Sequence, residues 1–374
     1  MENRMRQIGP DVVRIIAFAA VPAIHFFLNT EYYITPVKGI RMYFMTVVLV
    51  MCSICVPLFM ILTGFLMSSK NVPIHKKELL RFYSKLRDII TTYVLTTILI
   101  LLYRCIVNQE RIGICGAVMN LLGYHQYSWY VNMYIGCFLL IPFLNLLWNS
   151  LSSQESRRIL VIVLLVLTAL PSVLNVYDLE TPGALRNPWL TGNYAKFVPD
   201  WWAEVYPLTY YYIGAYIRCH VKRETFDRRK LKLALLISFF AFGGYDFWRS
   251  YSEDFKWALW CDWGSLQNTL ISVMVFILLI SADYSRCSAT VGKVLRRIAP
   301  LTFGAYLLSW VPDHFLYPQL IEWVPNVYYR FHWYVPSVLF SIMSSLLLAQ
   351  IIQWIQKILY TFIRQVWKRI EFDI

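Results

Sequence analysis

Residues 10–29 read Pro10-Asp11-Val12-Val13-Arg14-Ile15-Ile16-Ala17-Phe18-Ala19-Ala20-Val21-Pro22-Ala23-Ile24-His25-Phe26-Phe27-Leu28-Asn29. An apolar run of about 20 residues is long enough to cross a bilayer as a helix. The run is continuous rather than alternating, which selects a helix over a barrel strand. Its basic start (Arg4, Arg6) has the look of a secretory leader. No small-residue cleavage site follows, and Arg14 sits inside the run, so a retained membrane span is expected.

Similar runs recur outward from this one, over 43–67, 89–107, 129–149, 159–176, 201–217, 232–247, 264–282, 298–317 and 334–356. The expectation is an all-α polytopic membrane protein of about ten transmembrane helices. The fifth and seventh runs are short and need a thinned bilayer or aromatic anchoring. Composition agrees. Of the 374 residues, 15% are charged and 17% aromatic, against roughly 25% charged in soluble domains. The mean hydropathy is +0.50. These values exclude a disordered chain, a disulfide scaffold and an ordinary soluble enzyme.

The net charge of +13 suggests nucleic acid until its distribution is read. Of the 35 Lys and Arg residues, 25 fall on one set of alternating connections and 8 on the other. Arg14 and Arg104 lie within runs. Positive charge concentrates on the cytoplasmic side, so both termini are expected there, and the charge reads as topology rather than as nucleic-acid binding. A single membrane domain over 1–374 is expected. It has a cytoplasmic basic amphipathic segment at 70–88, an irregular outer loop at 177–200 and a cytoplasmic tail at 357–374. Cys52 and Cys55 form a C-x-x-C without a second ligand pair, within what reads as one continuous helix, so no metal site is expected. There is no P-loop and no G-x-G-x-x-G.

Ionisable groups inside a membrane are costly and mark function by default. The first span carries Asp11, Arg14 and His25. Asp11 and Arg14, three apart, can pair on one helix face. Arg14 and His25 are separated by about 20° around the helix and about 16 Å along it. One face thus presents a cation near one leaflet and an imidazole towards the other, with Pro22 between them freeing a backbone carbonyl. A neutral imidazole is a good general base near pH 7. An arginine binds phosphate or a thioester oxygen. The plainer reading makes Asp11 and Arg14 interfacial markers and His25 a satisfied polar contact.

With these residues in view, Asp11-Val12-Val13-Arg14 followed by His25 resembles the Arg-x10-His first-span motif of the acyltransferase-3 family, bacterial membrane acyltransferases that decorate surface glycans. Val56-Pro57-Leu58-Phe59-Met60-Ile61-Leu62-Thr63-Gly64-Phe65-Leu66 resembles its Phe-Phe-(Ser/Thr)-Gly-(Phe/Tyr) signature. Trp129-Tyr130-Val131-Asn132-Met133-Tyr134-Ile135-Gly136, running on to Ile141-Pro142, resembles its Trp-(Phe/Tyr) helix. Leu301-Thr302-Phe303-Gly304-Ala305-Tyr306-Leu307 resembles its late motif. Ser128 and Ser309 stand where many members carry histidine, with His125 and Asp313 nearby. The minimal form of the family, without its hydrolase-like extension, is expected.

The resemblance implies transfer of an acyl group, acetyl by expectation, from cytoplasmic acyl-coenzyme A as co-substrate. The acceptor is then a sugar hydroxyl of an extracytoplasmic surface polysaccharide or lipid-linked precursor, and the site is in the bacterial inner membrane. His25 becomes general base or acyl carrier, Arg14 the donor-binding cation and Asp11 its orienting partner. Arg81, Lys85 and Arg87, on the basic stretch 75–88, become contacts for the coenzyme's phosphates; a solvated helix on anionic lipid reads the same stretch as well. Asn132, Glu204, Tyr306 and Asp313 are candidates for acceptor contact. No permanently bound cofactor and no metal are expected. The Tyr206, Tyr210, Tyr211 and Tyr212 run reads as a membrane aromatic belt or a sugar platform. Arg104 reads as a snorkelling end-of-span residue. Thr63-Gly64 reads as a close helix contact. Two other classes stay open: a multi-span transporter or exporter of glycan or lipid, and a non-catalytic member of the family.

Overall fold

The computed structural model describes residues 8–122, 127–184, 194–222 and 226–372, of which 366–372 are described as backbone alone. In chain order the helices are α1 (Ile8–Asn29), α2 (Gly39–Cys52), α3 (Cys55–Met67), α4 (Lys76–Tyr83), α5 (Leu86–Ile106) and α6 (Ile114–Leu122). Then come α7 (Trp129–Ser150), α8 (Gln154–Thr168), α9 (Pro171–Leu174), α10 (Tyr206–His220), α11 (Arg228–Arg249) and α12 (Leu266–Ile280). The last are α13 (Ala289–Ile298), α14 (Thr302–Leu308), α15 (Trp310–Trp323), α16 (Val327–Arg330) and α17 (Tyr334–Phe372). Apart from short 3-10 turns and one bridge between Val37 and Tyr251, the described structure is helical.

All ten apolar runs fall on helices, and seven helical stretches are long and apolar enough to cross a membrane. The other three are α10 and α12, of 15 residues each, and the α14–α15 run, which is broken. The surface is that of a polytopic membrane protein. Ile159, Ile162 and Val163 on α8, Leu233, Leu236 and Ile237 on α11, and Leu339, Met343 and Leu347 on α17 are exposed. Asp11, Thr46, Asn145, Asn268 and Asp313 are buried. Such an apolar outside suits lipid, while the polar groups find partners within.

Prolines explain where runs break. A proline inside a helix clashes with the carbonyl four residues earlier. For Pro57 that residue is Ser53, and the 43–67 run, expected to be continuous, breaks at Ser53–Ile54 into α2 and α3. Cys52 and Cys55 flank this break rather than lying in one helix; Cys52 Sγ is 3.1 Å from the Tyr334 hydroxyl. For Pro312 the residue is Leu308, and the 298–317 run breaks at Ser309. Pro22 does not break α1, which is continuous through it. The basic stretch 75–88 is two helices, not one. α4 ends at Tyr83, Ser84 Oγ donates to Arg81 O (2.8 Å), and α5 begins at Leu86.

α1 runs through the centre, packed against α2, α3, α12, α13, α14, α15 and α17. The closest helix pair is α3 on α10. A Cβ at Gly64 would fall within the contact radius of the Tyr211 carbonyl, and one at Gly214 within that of the Ile61 carbonyl. Small residues let the two backbones touch, as in other membrane helix pairs. Asn145 of α7 ties the end of α3: its Nδ2 donates to Met67 O (2.9 Å) and Lys70 O (2.8 Å), and its Oδ1 accepts from the Tyr211 hydroxyl (2.6 Å). At the opposite end of the bundle Arg330 is fully buried. It donates to Val324 O, Thr30 O, Pro325 O and Glu31 Oε2, which pins the loop after α1 to α16.

Candidate active site

His25 lies near the C-terminal end of α1. Its Nδ1 is 3.1 Å from Asp313 Oδ2, and Asp313 Oδ1 accepts from Ser341 Oγ at 2.7 Å. Three elements converge here: α1, the first turn of α15 just past the Ser309 break, and α17. Asp313 is 1% exposed, so the carboxylate sits behind the imidazole, away from solvent. A carboxylate only accepts, so Nδ1 is the donor to it, and in the neutral tautomer this leaves the lone pair on Nε2. A histidine held this way can take a proton at Nε2, with the carboxylate stabilising the imidazolium that forms.

The ring of Tyr127 lies against the imidazole, centroids 3.9 Å apart. Asn29 Nδ2 donates to the Tyr127 hydroxyl (2.8 Å) and to the His25 carbonyl (2.8 Å). The Tyr306 hydroxyl donates to the Tyr127 carbonyl. Tyr127, Asn29 and Ser341 are the residues that sequence reasoning missed. Ser341 carries no local signal, and Tyr127 gains its role only from the turn that leads into α7.

His25 lines a cavity of about 370 Å³, walled by Tyr33, Trp129, Trp257 and Trp263 among others. Arg14 lines a second cavity, of about 340 Å³, at the N-terminal end of α1, together with Thr63, Asp88 and Tyr134. Phe59, Tyr130 and Tyr306 line both cavities, so these rings form a shared wall. Arg14 and His25, well apart along α1, thus line two different cavities that share part of their walls.

The other sequence candidates divide. Tyr306 is buried in the shared wall. Asp11 is buried in the first turn of α1. Arg81, Lys85 and Arg87 are exposed around the α4–α5 turn, next to Asp88 at the arginine cavity. Arg87 pairs loosely with Asp88 at 3.9 Å and lies over the Tyr360 ring. Asn132, exposed on α7, lines neither cavity. Nor does Glu204, exposed on the short turn before α10.

Ser309 is spent inside the helix break, donating to Tyr306 O (2.8 Å). His125 lies outside the described residues. Arg104 does more than snorkel. It binds Glu110 at 2.6 Å and Asn120, and its hydrogen bond holds the Glu110 carboxyl below the ordinary carboxylate value. Tyr206, Tyr210, Tyr211 and Tyr212 are buried and line neither cavity, so they are neither belt nor sugar platform.

A family model for an acyltransferase domain, acyltransferase 3, matches residues 7–354. The chain belongs to the acyltransferase-3 family. No curated protein and no solved structure matches it. Family membership makes the protein a membrane acyltransferase, a transferase built from transmembrane helices. The match spans all the elements that build the two cavities, from α1 to Trp354 within α17.

Proposed function

We infer that this acyltransferase-3 protein moves an acyl group, acetyl in the simplest case, from cytoplasmic acyl-coenzyme A to a sugar hydroxyl of a bacterial surface polysaccharide or its lipid-linked precursor. It would do so as a multi-pass protein of the inner membrane with both termini in the cytoplasm. One observation carries the reading: a single face of α1 serves two cavities, a cation in one and a carboxylate-backed histidine in the other, separated by the rings of Phe59, Tyr130 and Tyr306. That arrangement suits a reaction whose two substrates arrive from opposite sides.

In this reading the donor enters the arginine cavity and its thioester reaches the boundary of Phe59, Tyr130 and Tyr306, where the two cavities meet. Arg14 binds its carbonyl oxygen or a phosphate, and Asp11 orients Arg14. Arg81, Lys85 and Arg87 at the cavity's edge contact the coenzyme's phosphates. The acceptor hydroxyl enters the histidine cavity. Its oxygen attacks the thioester carbonyl carbon, and its proton passes to His25 Nε2. The C–S bond breaks, and the proton ends on the sulfur of the departing coenzyme A thiol. The products are one ester and one thiol. Asp313 holds the imidazole and stabilises its cationic form.

The test is release of coenzyme A from acetyl-coenzyme A by the full chain in nanodiscs, wild type beside His25→Ala and Arg14→Ala. Loss of release on the order of 10²–10⁴-fold in His25→Ala is expected. Normally folded variants that release coenzyme A at the wild-type rate would overturn the mechanism. A wild type that neither binds acetyl-coenzyme A nor releases coenzyme A would overturn the donor assignment.

A further inference from the structure

The histidine cavity is faced by three indoles brought together from two distant parts of the chain. Trp129 begins α7, and Trp257 and Trp263 come from the loop between α11 and α12. Trp129 and Trp263 are stacked at 5.9 Å with 28° between planes; Trp257 and Trp263 are 5.2 Å apart. All three are half-buried, each with part of its surface open to the cavity. They differ from the outward tryptophans Trp323 and Trp354, which are 68% and 55% exposed, as membrane-interface residues are.

Trp257 and Trp263 are also held in place. Asp262 Oδ1 accepts from Trp257 Nε1 (3.1 Å) and from Trp263 N (2.7 Å), and the Trp263 carbonyl accepts from the Tyr210 hydroxyl (2.6 Å). A membrane-belt indole instead leaves its N–H for lipid headgroups and water. The Trp257 N–H is fixed by a protein carboxylate, which leaves the rest of its ring to meet the cavity. Fixed aromatic faces lining a small-molecule-sized cavity are a stacking surface for a flat or ring-shaped ligand.

The charge of the cavity limits what that ring can carry. Among the described residues that line it, there is no carboxylate, lysine or arginine; His25, cysteine and phenols are its titratable groups. Two acids bonded to residues of its wall are committed, Asp313 to His25 and Ser341, and Asp262 to the indole loop. The arginine cavity, by contrast, has Arg14 and Asp88 in its wall. A carboxylate, phosphate or ammonium on the ligand would find no charged partner among the described residues of the histidine cavity's largely apolar lining, which is unfavourable.

We propose that the acceptor unit acylated beside His25 is a neutral pyranose whose apolar C–H face lies on Trp257 and Trp263, and that Asp262 is the positioning residue for this platform. The proposal rests on the acyl-transfer reading above and names its acceptor class. A uronic acid, a phosphosugar or a free amino sugar is excluded at the acylated position, though not elsewhere in the polymer.

The experiment follows coenzyme A release from acetyl-coenzyme A by the full chain in nanodiscs, with and without sugar probes. The probes are neutral methyl hexopyranosides, the matching methyl hexuronides and methyl 2-amino-2-deoxyhexosides. The neutral probes are expected to accelerate release above the acceptor-free rate, and the charged probes at least about tenfold less. Trp257→Ala and Trp263→Ala should raise the half-saturating concentration of the neutral probe by about 5- to 100-fold, the range for removing one aromatic stacking partner. Binding of acetyl-coenzyme A, which enters from the arginine cavity, should be unaltered in both variants and reports that they fold. Trp257→Phe should restore most of the affinity, and Asp262→Ala should behave as a milder Trp257→Ala.

The proposal is overturned by a charged probe that outperforms its neutral counterpart, or by alanine variants with unaltered acceptor dependence. It is also overturned if no neutral probe accelerates a wild type that hydrolyses acetyl-coenzyme A. A wild type that neither binds nor hydrolyses acetyl-coenzyme A counts instead against the acyl-transfer reading itself.

Discussion

At the residue scale the decisive contact is His25 with Asp313, 288 positions apart in the chain. Asp313→Asn keeps the size of the side chain but lets the amide present N–H to the imidazole, which favours the wrong tautomer. The expected outcome is a fall in kcat on the order of 10²–10⁴-fold with little change in the donor's half-saturation, read from steady-state coenzyme A release. Ser341→Ala removes one hydrogen bond to a buried carboxylate. Such bonds contribute about 1.5–3 kcal/mol, so a loss of about 10- to 100-fold in kcat is expected. An unchanged kcat in Asp313→Asn would mean that the contact is structural. His25 and Arg14 were legible as site candidates because a membrane makes each ionisable group conspicuous, and Tyr306 because it lies in a stretch resembling the family's late motif. Asp313 was legible as a polar residue near the late motif. Its partner was not, because nothing within a few residues of Asp313 signals His25.

At the element scale two physical devices shape the site. The first is the proline break, which starts α15 so that Asp313 falls in its first turn. In Pro312→Ala the clash with the Leu308 carbonyl disappears and α14 can continue into α15. That should turn Asp313 away from His25, lowering kcat while the protein still folds, as checked by circular dichroism beside the rate. The second is backbone contact between α3 and α10 through Gly64 and Gly214. A methyl group at either position meets a backbone carbonyl of the facing helix, which cannot move aside as a side chain can. Gly64→Ala and Gly214→Ala should each cost about 1–3 kcal/mol or more of stability, seen as a lowered Tm in detergent. Gly136→Ala, which meets nothing within 4 Å, should leave Tm unchanged and serves as the control. Sequence reading found the runs but joined α2 to α3 and α14 to α15. Apolar character continues across each break, and only the proline marks it.

At the scale of the whole molecule, charge and cavities share an axis. Basic residues gather around the α4–α5 turn beside the arginine cavity, and the histidine cavity has a nearly neutral wall. Replacing Arg81, Lys85 and Arg87 together by glutamine should raise the half-saturating acetyl-coenzyme A concentration by about tenfold at low salt, with kcat unchanged. The gap between wild type and variant should narrow as ionic strength rises, because exposed charges are screened. A reporter that matures only in the cytoplasm should be active when fused to either terminus, the outcome expected from the 25-to-8 distribution of basic residues. Activity at one end alone would overturn the topology.

The sequence by itself determined that this chain is helical and lies in a membrane. Those properties follow from local sums: apolar run length, charge on alternating connections, and the angle between two positions on one helix. Arg14 and His25 share a face by periodicity alone. Only the tertiary structure decided what that face looks onto. The carboxylate behind His25, the ring wall between the chambers and the stacked indoles come from α1, α3, α7, α14, α15, α17 and one loop. No local pattern specifies which of several polar or aromatic residues on different helices will meet. That choice is made by proline breaks and glycine contacts that set how the helices cross, so Asn132 and Glu204 fell outside the cavities while Tyr127, Trp257 and Trp263 came to line one of them.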